Sequence, residues 1–203
     1  MLRSALAPAL LLAACLPALA DPGPENLQLT CTGAFAKDSD LKQVIAAFGK
    51  QNVKQEQVAG AEGETLEATV VFGSQPTKRL EILWWDDKGH RRPSTIRVTE
   101  APSEWTLGPI KAGSPIAEVT KANGKAFTLS GFDWDYGGLA QDWKGGKVPA
   151  LGGDGCSVQV AFTHEGSLPN RLIGDGATVT STDKGLVAGK TTVQTLGLGW
   201  PEE

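Results

Sequence analysis

Histidine and cysteine are scarce in this sequence, which has two of the former and three of the latter among 203 residues. His90 and His164 stand far from each other and from the cysteines, so the spacing that metal ligands require is missing. The sequence also lacks a Gly-x-Ser-x-Gly elbow, and its glycine pairs precede no Lys-Ser/Thr helix start. These absences predict no metal, no cofactor and no catalytic residue, and both histidines are predicted to be solvated.

Long apolar runs and a strong excess of one charge are absent beyond the first twenty residues. No later segment approaches the roughly 20 apolar residues that a membrane helix needs, so no membrane span is predicted. The formal net charge is −4, and loss of a leader containing Arg3 changes it to −5. This modest acidity gives no reason to expect nucleic acid or anionic lipid as a partner.

The N-terminus has the three-part layout of a secretory signal peptide. Arg3 supplies a basic start, residues 5–19 form an apolar run interrupted by prolines, and Ala-Leu-Ala at 18–20 offers a cleavage site. We therefore predict a signal peptide over residues 1–20 and a protein that is periplasmic or secreted. About 180 residues then remain, enough for one sizeable core or two small packed units.

An alternative processing site lies within the same run. Residues 12–15, Leu-Ala-Ala-Cys, resemble the lipobox of bacterial lipoproteins, in which the cysteine becomes the lipidated first residue. Cleavage there leaves an unusually short signal, so cleavage after Ala20 is favoured. Lipidation at Cys15, with an anchored envelope lipoprotein as the result, stays open as the alternative.

Two cysteines remain after either cleavage. Cys31 and Cys156 form an available pair in an oxidising compartment. A bond between them would close a long loop and stabilise the fold by roughly 4–5 kcal/mol in the chain-entropy model. We predict this disulfide; the alternative is two buried free thiols.

Two short helices are predicted, and each ends at a glycine. Leu41 begins an apolar stripe with helical spacing that runs to Phe48, and Gly49 follows it. In the second helix Ser114 is the predicted N-cap, with proline at the first helical position, and Gly124 is the predicted end.

Strands and turns account for most of the remaining sequence. Patterns typical of strands cover residues 27–31, 52–58, 66–72, 80–85, 95–99, 126–132, 139–143, 156–163, 177–182 and 191–198. Asp-Asp-Lys-Gly at 86–89 predicts a hairpin turn. Trp84 and Trp85 are strand neighbours that face opposite ways, so one is predicted in the core and the other in an exposed patch.

The two helices also suggest an internal duplication. Aligned without gaps, residues 41–50 and 116–125 share four identities, and extended sequence follows each copy. We therefore predict an α+β fold of two related units, each a short helix followed by an antiparallel meander. The units span residues 21–107 and 108–203, with the second packed on the first.

The predicted architecture resembles a family of small exported proteins that includes the β-lactamase inhibitory proteins and the BamE-type outer-membrane assembly lipoproteins. Residues 112–119, Ala-Gly-Ser-Pro-Ile-Ala-Glu-Val, resemble their helix entry, although this chain lacks the second helix usual in each unit. The resemblance implies a tandem α+β fold in the cell envelope and, by analogy, binding of another protein rather than catalysis.

The least generic stretch is Gly-Phe-Asp-Trp-Asp-Tyr-Gly-Gly at 131–138, which has no counterpart after the first helix. It resembles a segment of exported bacterial proteins to which no chemistry is assigned. The candidate binding residues are Phe132, Asp133, Trp134, Asp135, Tyr136 and Trp143.

Several roles are compatible with this stretch. If it is extended, Asp133 and Asp135 share a face and could line one groove as a carboxylate pair. The other reading is that an aromatic side chain packs into the core while both aspartates cap turns. A calcium loop is disfavoured, because Gly137 lacks a side-chain oxygen and Lys144 stands where the bidentate glutamate belongs.

We predict a non-enzymatic exported protein that binds an envelope or extracellular protein. The alternatives are a carbohydrate-active or carbohydrate-binding protein that uses the Asp133-Trp134-Asp135 segment, and a lipoprotein anchored at Cys15.

Overall fold

The computed structural model describes residues 27–202. The signal peptide predicted over residues 1–20 and the alternative lipidation of Cys15 lie outside the described residues. Both stay predictions.

The described chain is a mixed fold of short helices and antiparallel sheets, which confirms the predicted α+β class. The helices are α1 (Leu41–Phe48), α2 (Ile116–Asn123) and α3 (Lys184–Ala188). The strands are β1 (Val53–Ala59), β2 (Thr65–Val71), β3 (Leu80–Asp86), β4 (Arg91–Val98), β5 (Thr106–Leu107), β6 (Ile110–Lys111), β7 (Thr128–Ser130), β8 (Ala140–Asp142), β9 (Ser157–Thr163), β10 (Thr178–Thr180) and β11 (Thr192–Gly199).

Helix α1 begins with a capping box, in which two residues exchange side-chain and backbone hydrogen bonds. The backbone N–H of Gln43 donates to Asp40 Oδ1 at 3.0 Å, and the backbone N–H of Asp40 donates to Gln43 Oε1 at 3.0 Å. The helix ends at Gly49, whose φ of 81° suits glycine. Val44 and Phe48 are buried, as the apolar stripe predicts.

Helix α2 begins at Ile116, one residue later than predicted. Pro115 is the N-cap, and it has no side-chain capping bond. Ser114 is not the N-cap, because its hydroxyl accepts a hydrogen bond from the backbone N–H of Lys111 at 3.2 Å and so closes the preceding turn. The predicted end at Gly124 is confirmed by its left-handed conformation.

The segment predicted as a strand over residues 27–31 is not one. It is held by an isolated parallel bridge, in which Leu29 N–H donates to the Thr106 carbonyl and Thr106 N–H donates to the Leu27 carbonyl, each at 2.8 Å. Helix α3 was not predicted. It follows Asp183, whose carboxylate accepts from the backbone N–H of Gly185 at 2.8 Å.

The main sheet has six strands in the order β1-β2-β3-β4-β11-β9, with every neighbouring pair antiparallel. Strand β11, the last element of the chain, therefore lies between β4 of the first predicted unit and β9 of the second. A three-stranded sheet has the order β10-β7-β8, and β5 and β6 form a hairpin. One sheet thus draws strands from both predicted units.

The core is a cluster that joins the six-stranded sheet to all three helices. It includes Val44 of α1, Val119 of α2, Leu186 of α3, and Ile82 and Leu196 of the sheet. Each of these side chains has 0% of its surface exposed, as a close-packed interior requires.

The two adjacent tryptophans of β3 separate as predicted. Trp84 belongs to the core with 7% of its surface exposed, whereas Trp85 is 38% exposed. The indole N–H of Trp85 donates to the carbonyl of Trp200 at 3.1 Å, so the exposed ring is nevertheless fixed in place.

The predicted disulfide between Cys31 and Cys156 is confirmed, and it bridges 125 positions of sequence. It ties the segment before α1 to the start of β9. A disulfide is typical of oxidising compartments and fits a location outside the cytoplasm. The helices between residues 27 and 202 are all too short or too polar to cross a bilayer.

Candidate functional site

Residues 131–138 form a hydrogen-bonded turn between β7 and β8 rather than an extended segment. The backbone N–H of Gly137 donates to the Trp134 carbonyl at 2.8 Å, and that of Gly138 donates to the Gly131 carbonyl at 3.0 Å. Asp133 has a left-handed backbone, with φ of 63°. The alternation that would put Asp133 and Asp135 on one face is therefore absent. We call residues 131–138 the aromatic turn.

Glycine allows the aromatic turn to lie directly against neighbouring backbone. Gly138 has φ of 69°, and a Cβ there would collide with the carbonyl oxygen of Phe162. A Cβ at Gly131 would collide with the carbonyl oxygen of Gly174. Only glycine combines this conformation with so close an approach.

The side chain of Ser130 holds the aromatic turn through two hydrogen bonds. Its hydroxyl donates to the Tyr136 carbonyl at 2.6 Å and accepts from the Leu139 N–H at 3.0 Å. On the other side, the backbone N–H of Phe162 in β9 donates to the Gly138 carbonyl at 2.9 Å. The turn is therefore held at both ends by hydrogen bonds to neighbouring residues, which give it a rigid base.

Two large aromatic side chains project from the turn. Trp134 is 38% exposed and Tyr136 is 49% exposed, and their ring centroids lie 5.6 Å apart at an interplanar angle of 66°. The indole N–H of Trp134 donates to the Gly131 carbonyl at 2.9 Å, which fixes the ring. We call these two side chains the aromatic pair.

Two other candidate binding residues lie against the core. Phe132 is a core residue with 2% of its surface exposed, so it contributes little to the outer surface of the turn. Its backbone bonds to the segment around Ile173 account for this burial. Trp143 is half-buried, and its ring centroid lies 4.7 Å from that of Phe127. Asp135 is exposed.

His164 contacts Asp133 across the turn. Its Nε2 lies 2.8 Å from Asp133 Oδ1, and its Nδ1 lies 2.6 Å from the Gly166 carbonyl. Both ring nitrogens thus face acceptors, an arrangement that only the doubly protonated ring satisfies fully. The prediction that both histidines are solvated is wrong: the side chains of His164 and His90 are 18% and 19% exposed, and His90 Nε2 lies 3.2 Å from a carboxylate oxygen of Glu67.

The surroundings of His164 favour its positive charge. Partial burial lowers the pKa of the imidazole, but the hydrogen bonds to Asp133 and to the Gly166 carbonyl, together with the charge of Asp133, outweigh burial. The pKa of His164 therefore lies above its ordinary value of 6.5. When His164 is protonated, it forms an ion pair with Asp133 at the base of the turn.

The raised pKa of His164 predicts that folding stability falls as the pH rises. The contribution of the ion pair is present in full below pH 6.5 and is lost as the pH passes through the higher pKa of the folded state. We expect the free energy of unfolding of His164→Gln to change less with pH in this range than that of the unmodified protein. Urea denaturation across the range measures the difference. NMR titration of the imidazole should also show a lower pKa in Asp133→Asn. An imidazole titrating at or below its ordinary value in the unmodified protein would contradict this geometry.

An open cavity of about 280 Å³ lies beside the aromatic turn. Its lining consists of Phe132, Asp133, Trp134, Gly137, Phe162, Thr163, His164 and Gln194. Asp133 is the one carboxylate in this lining, and Asp135 lies outside it. The cavity therefore does not bring the two aspartates together as a pair.

Sequence reasoning missed the partners of Asp133 in this cavity. His164 is separated from Asp133 by 31 positions, and the contact exists because β9 packs against the turn. Nothing in the sequence marked Thr163 and Gln194 as candidate binding residues, since polar residues are common at strand ends and on exposed strand faces. Within residues 27–202, no three His, Cys, Asp or Glu side chains gather where they could hold a metal ion.

No protein-family model, curated protein or solved structure matches the chain. The resemblance to the β-lactamase inhibitory and BamE-type proteins therefore stays a prediction.

Proposed function

We propose that this protein is a non-catalytic binding protein and that the aromatic pair, Trp134 and Tyr136, contacts an envelope or extracellular protein. The observation that carries the proposal is the exposure of two large aromatic rings on a turn that is fixed at both ends. Soluble proteins bury most of their large aromatic surface, so exposed rings on a rigid base need a reason.

The energetics of such a pair favour protein recognition. Tryptophan and tyrosine are enriched among the residues that dominate binding, where removal of one side chain costs about 2 kcal/mol or more. Their rings lose little conformational entropy on binding, and here the Trp134 N–H is already bonded to the Gly131 carbonyl. The planes of the two rings meet at 66°, and a pair of this shape can insert into a partner's surface.

A glycosidase-like mechanism has less support. Such enzymes use two carboxyl groups about 5–9.5 Å apart on either side of the scissile bond. The cavity beside the turn has Asp133 alone, and one oxygen of that carboxylate is engaged by His164. We therefore favour binding over hydrolysis.

A periplasmic or secreted location is part of this proposal. It rests on the predicted signal peptide and agrees with the disulfide. The predicted duplication of a helix-plus-meander unit would make the aromatic turn an addition to the second copy. Lipidation at Cys15 is the competing form, and the intact mass of the exported protein distinguishes a diacylglycerol-bearing chain from one cut after Ala20.

Replacing Tyr136 or Trp134 with alanine should strongly weaken partner capture. We expect each substitution to weaken binding by at least about thirtyfold, because each ring has the exposure and rigidity of a binding hot spot. The measurement is affinity capture from the cell envelope on the immobilised disulfide-bonded protein, followed by titration of the captured partner.

Trp85→Ala is the matched control. Trp85 has the same 38% exposure as Trp134, and its indole N–H is likewise bonded to a backbone carbonyl. Circular dichroism should show that all three variants are folded. A partner that binds the Tyr136 and Trp134 variants as well as the unmodified protein would refute the proposed surface, as would a loss confined to the Trp85 variant.

A further inference from the structure

We infer that the cavity beside the aromatic turn is a binding site for a single neutral sugar ring. This inference goes beyond the proposed protein contact. It shares Trp134 with that contact but depends on a separate set of polar groups, those of Asp133, Thr163 and Gln194.

Polar groups without partners converge on the cavity. The Thr163 hydroxyl and the Gln194 carboxamide make no hydrogen bond or ion pair with any residue in the range 27–202. Asp133 contacts His164 through Oδ1, which leaves Oδ2 for a ligand. A hydroxyl, a carboxamide and a carboxylate together offer both donors and acceptors, which is what sugar hydroxyls require.

Two irregularities of the backbone aim these side chains at one place. In β11, Val193 pairs with Phe162 and Thr195 pairs with Ala161, so Gln194 is the extra residue of a β-bulge. Bulges redirect a side chain and are common beside functional sites. Asp133, on the other wall, has φ of 63°, a conformation that few residues other than glycine adopt readily.

The charge of the cavity favours an uncharged ligand. His164 Nε2 and Asp133 Oδ1 lie 2.8 Å apart, and when His164 is protonated the two charges compensate each other. A ligand with a net charge would disturb this pair, whereas hydroxyl groups can bond to the free oxygen of Asp133 without doing so.

The size and the lining of the cavity favour one ring. Its volume of about 280 Å³ lies just below the roughly 300–1,000 Å³ of pockets for drug-sized ligands. Trp134 is among the lining residues, and an indole ring can cover the C–H face of a sugar.

The test is saturation-transfer NMR on the disulfide-bonded protein with free neutral monosaccharides and their methyl glycosides as probes. We expect saturable binding of at least one of them, with a Kd on the order of 1 mM for a ligand of this size. Gln194→Ala and Thr163→Val should each weaken that binding by about five- to tenfold, since each removes one hydrogen-bonding group.

Gln57→Ala is the matched control, because it removes an exposed carboxamide from β1 instead of from the cavity. Tyr136 does not line the cavity, so Tyr136→Ala should leave sugar affinity unchanged even where it weakens partner capture. The two proposals can thus fail separately. The sugar site is overturned if no neutral sugar binds, if binding survives both cavity substitutions, or if uronic acids bind better than their neutral counterparts.

Discussion

Replacing Cys31 and Cys156 together with serine should lower the free energy of unfolding by about 4 kcal/mol. The bond closes a loop of 125 positions, so its loss frees a long stretch of the unfolded chain. In the folded protein it joins the segment before α1 to the start of β9, where the Cys31 N–H also donates to the Gly152 carbonyl at 2.7 Å. The segment is also held by its hydrogen bonds to Thr106 and by the burial of Leu29 and Phe35, so the loss should appear as reduced stability of a folded protein.

Urea denaturation of the oxidised protein and of the double variant measures this difference. Reduction of the unmodified protein is the control and should give the same loss, because it removes the bond without changing the sequence. A difference below about 1 kcal/mol would mean that the unfolded chain is not constrained by the bond as the chain-entropy account requires.

Substituting Gly138 with alanine should destabilise the fold by about 3 kcal/mol, because two separate penalties apply. The left-handed backbone at φ of 69° disfavours any side chain, and the added Cβ would collide with the Phe162 carbonyl oxygen. Relief of the collision must move the turn away from β9 and weaken the bond from Phe162 N–H to Gly138. The aromatic pair and the cavity would lose their shared base.

Alanine substitutions at two other glycines allow the conformational penalty and the collision penalty to be measured separately. Gly174 has φ of 93° but no atom within 4 Å of an added Cβ, so Gly174→Ala should cost about 1 kcal/mol from conformation alone. Gly176 has neither a positive φ nor a close neighbour, so Gly176→Ala should be nearly neutral. Unfolding curves for the three variants check the order. Equal losses at Gly138 and Gly174 would show that the collision with Phe162 contributes nothing.

Features that depend on neighbouring residues could be predicted from the sequence. The start of α1 follows from the exchange of bonds between Asp40 and Gln43, and its end follows from Gly49. The disulfide could be predicted because Cys31 and Cys156 have no other cysteine to pair with once the leader is set aside.

The candidate site could be predicted only in part. Trp134 and Tyr136 could be selected because aromatic residues clustered in a Gly-rich stretch are the least generic feature of the sequence. The side-by-side placement of Asp133 and Asp135 assumed an extended chain, whereas Gly137 and Gly138 allow the chain to turn back on itself. Burial of Phe132 follows from that turn and not from any local pattern.

The walls of the cavity depend on pairing between distant strands. The sequence of β11 has the same pattern with or without an unpaired residue. The bulge at Gln194 therefore has no sequence signature. The contact between His164 and Asp133 likewise depends on how β9 meets the turn. Such long-range register is set by the packed structure as a whole.

The central position of β11 has a consequence for the order in which the molecule folds. Strands β1 to β4 are joined by local hairpins and can associate early, but β9 reaches them only through β11, which follows all of them in the chain. The pairing of β11 with β4 spans about a hundred positions, and contacts of such high sequence separation form slowly. Until β11 is available, the edge of β4 lacks its neighbour and the sheet stays open. Strand order alone thus delays completion of the six-stranded sheet until β11 has been made.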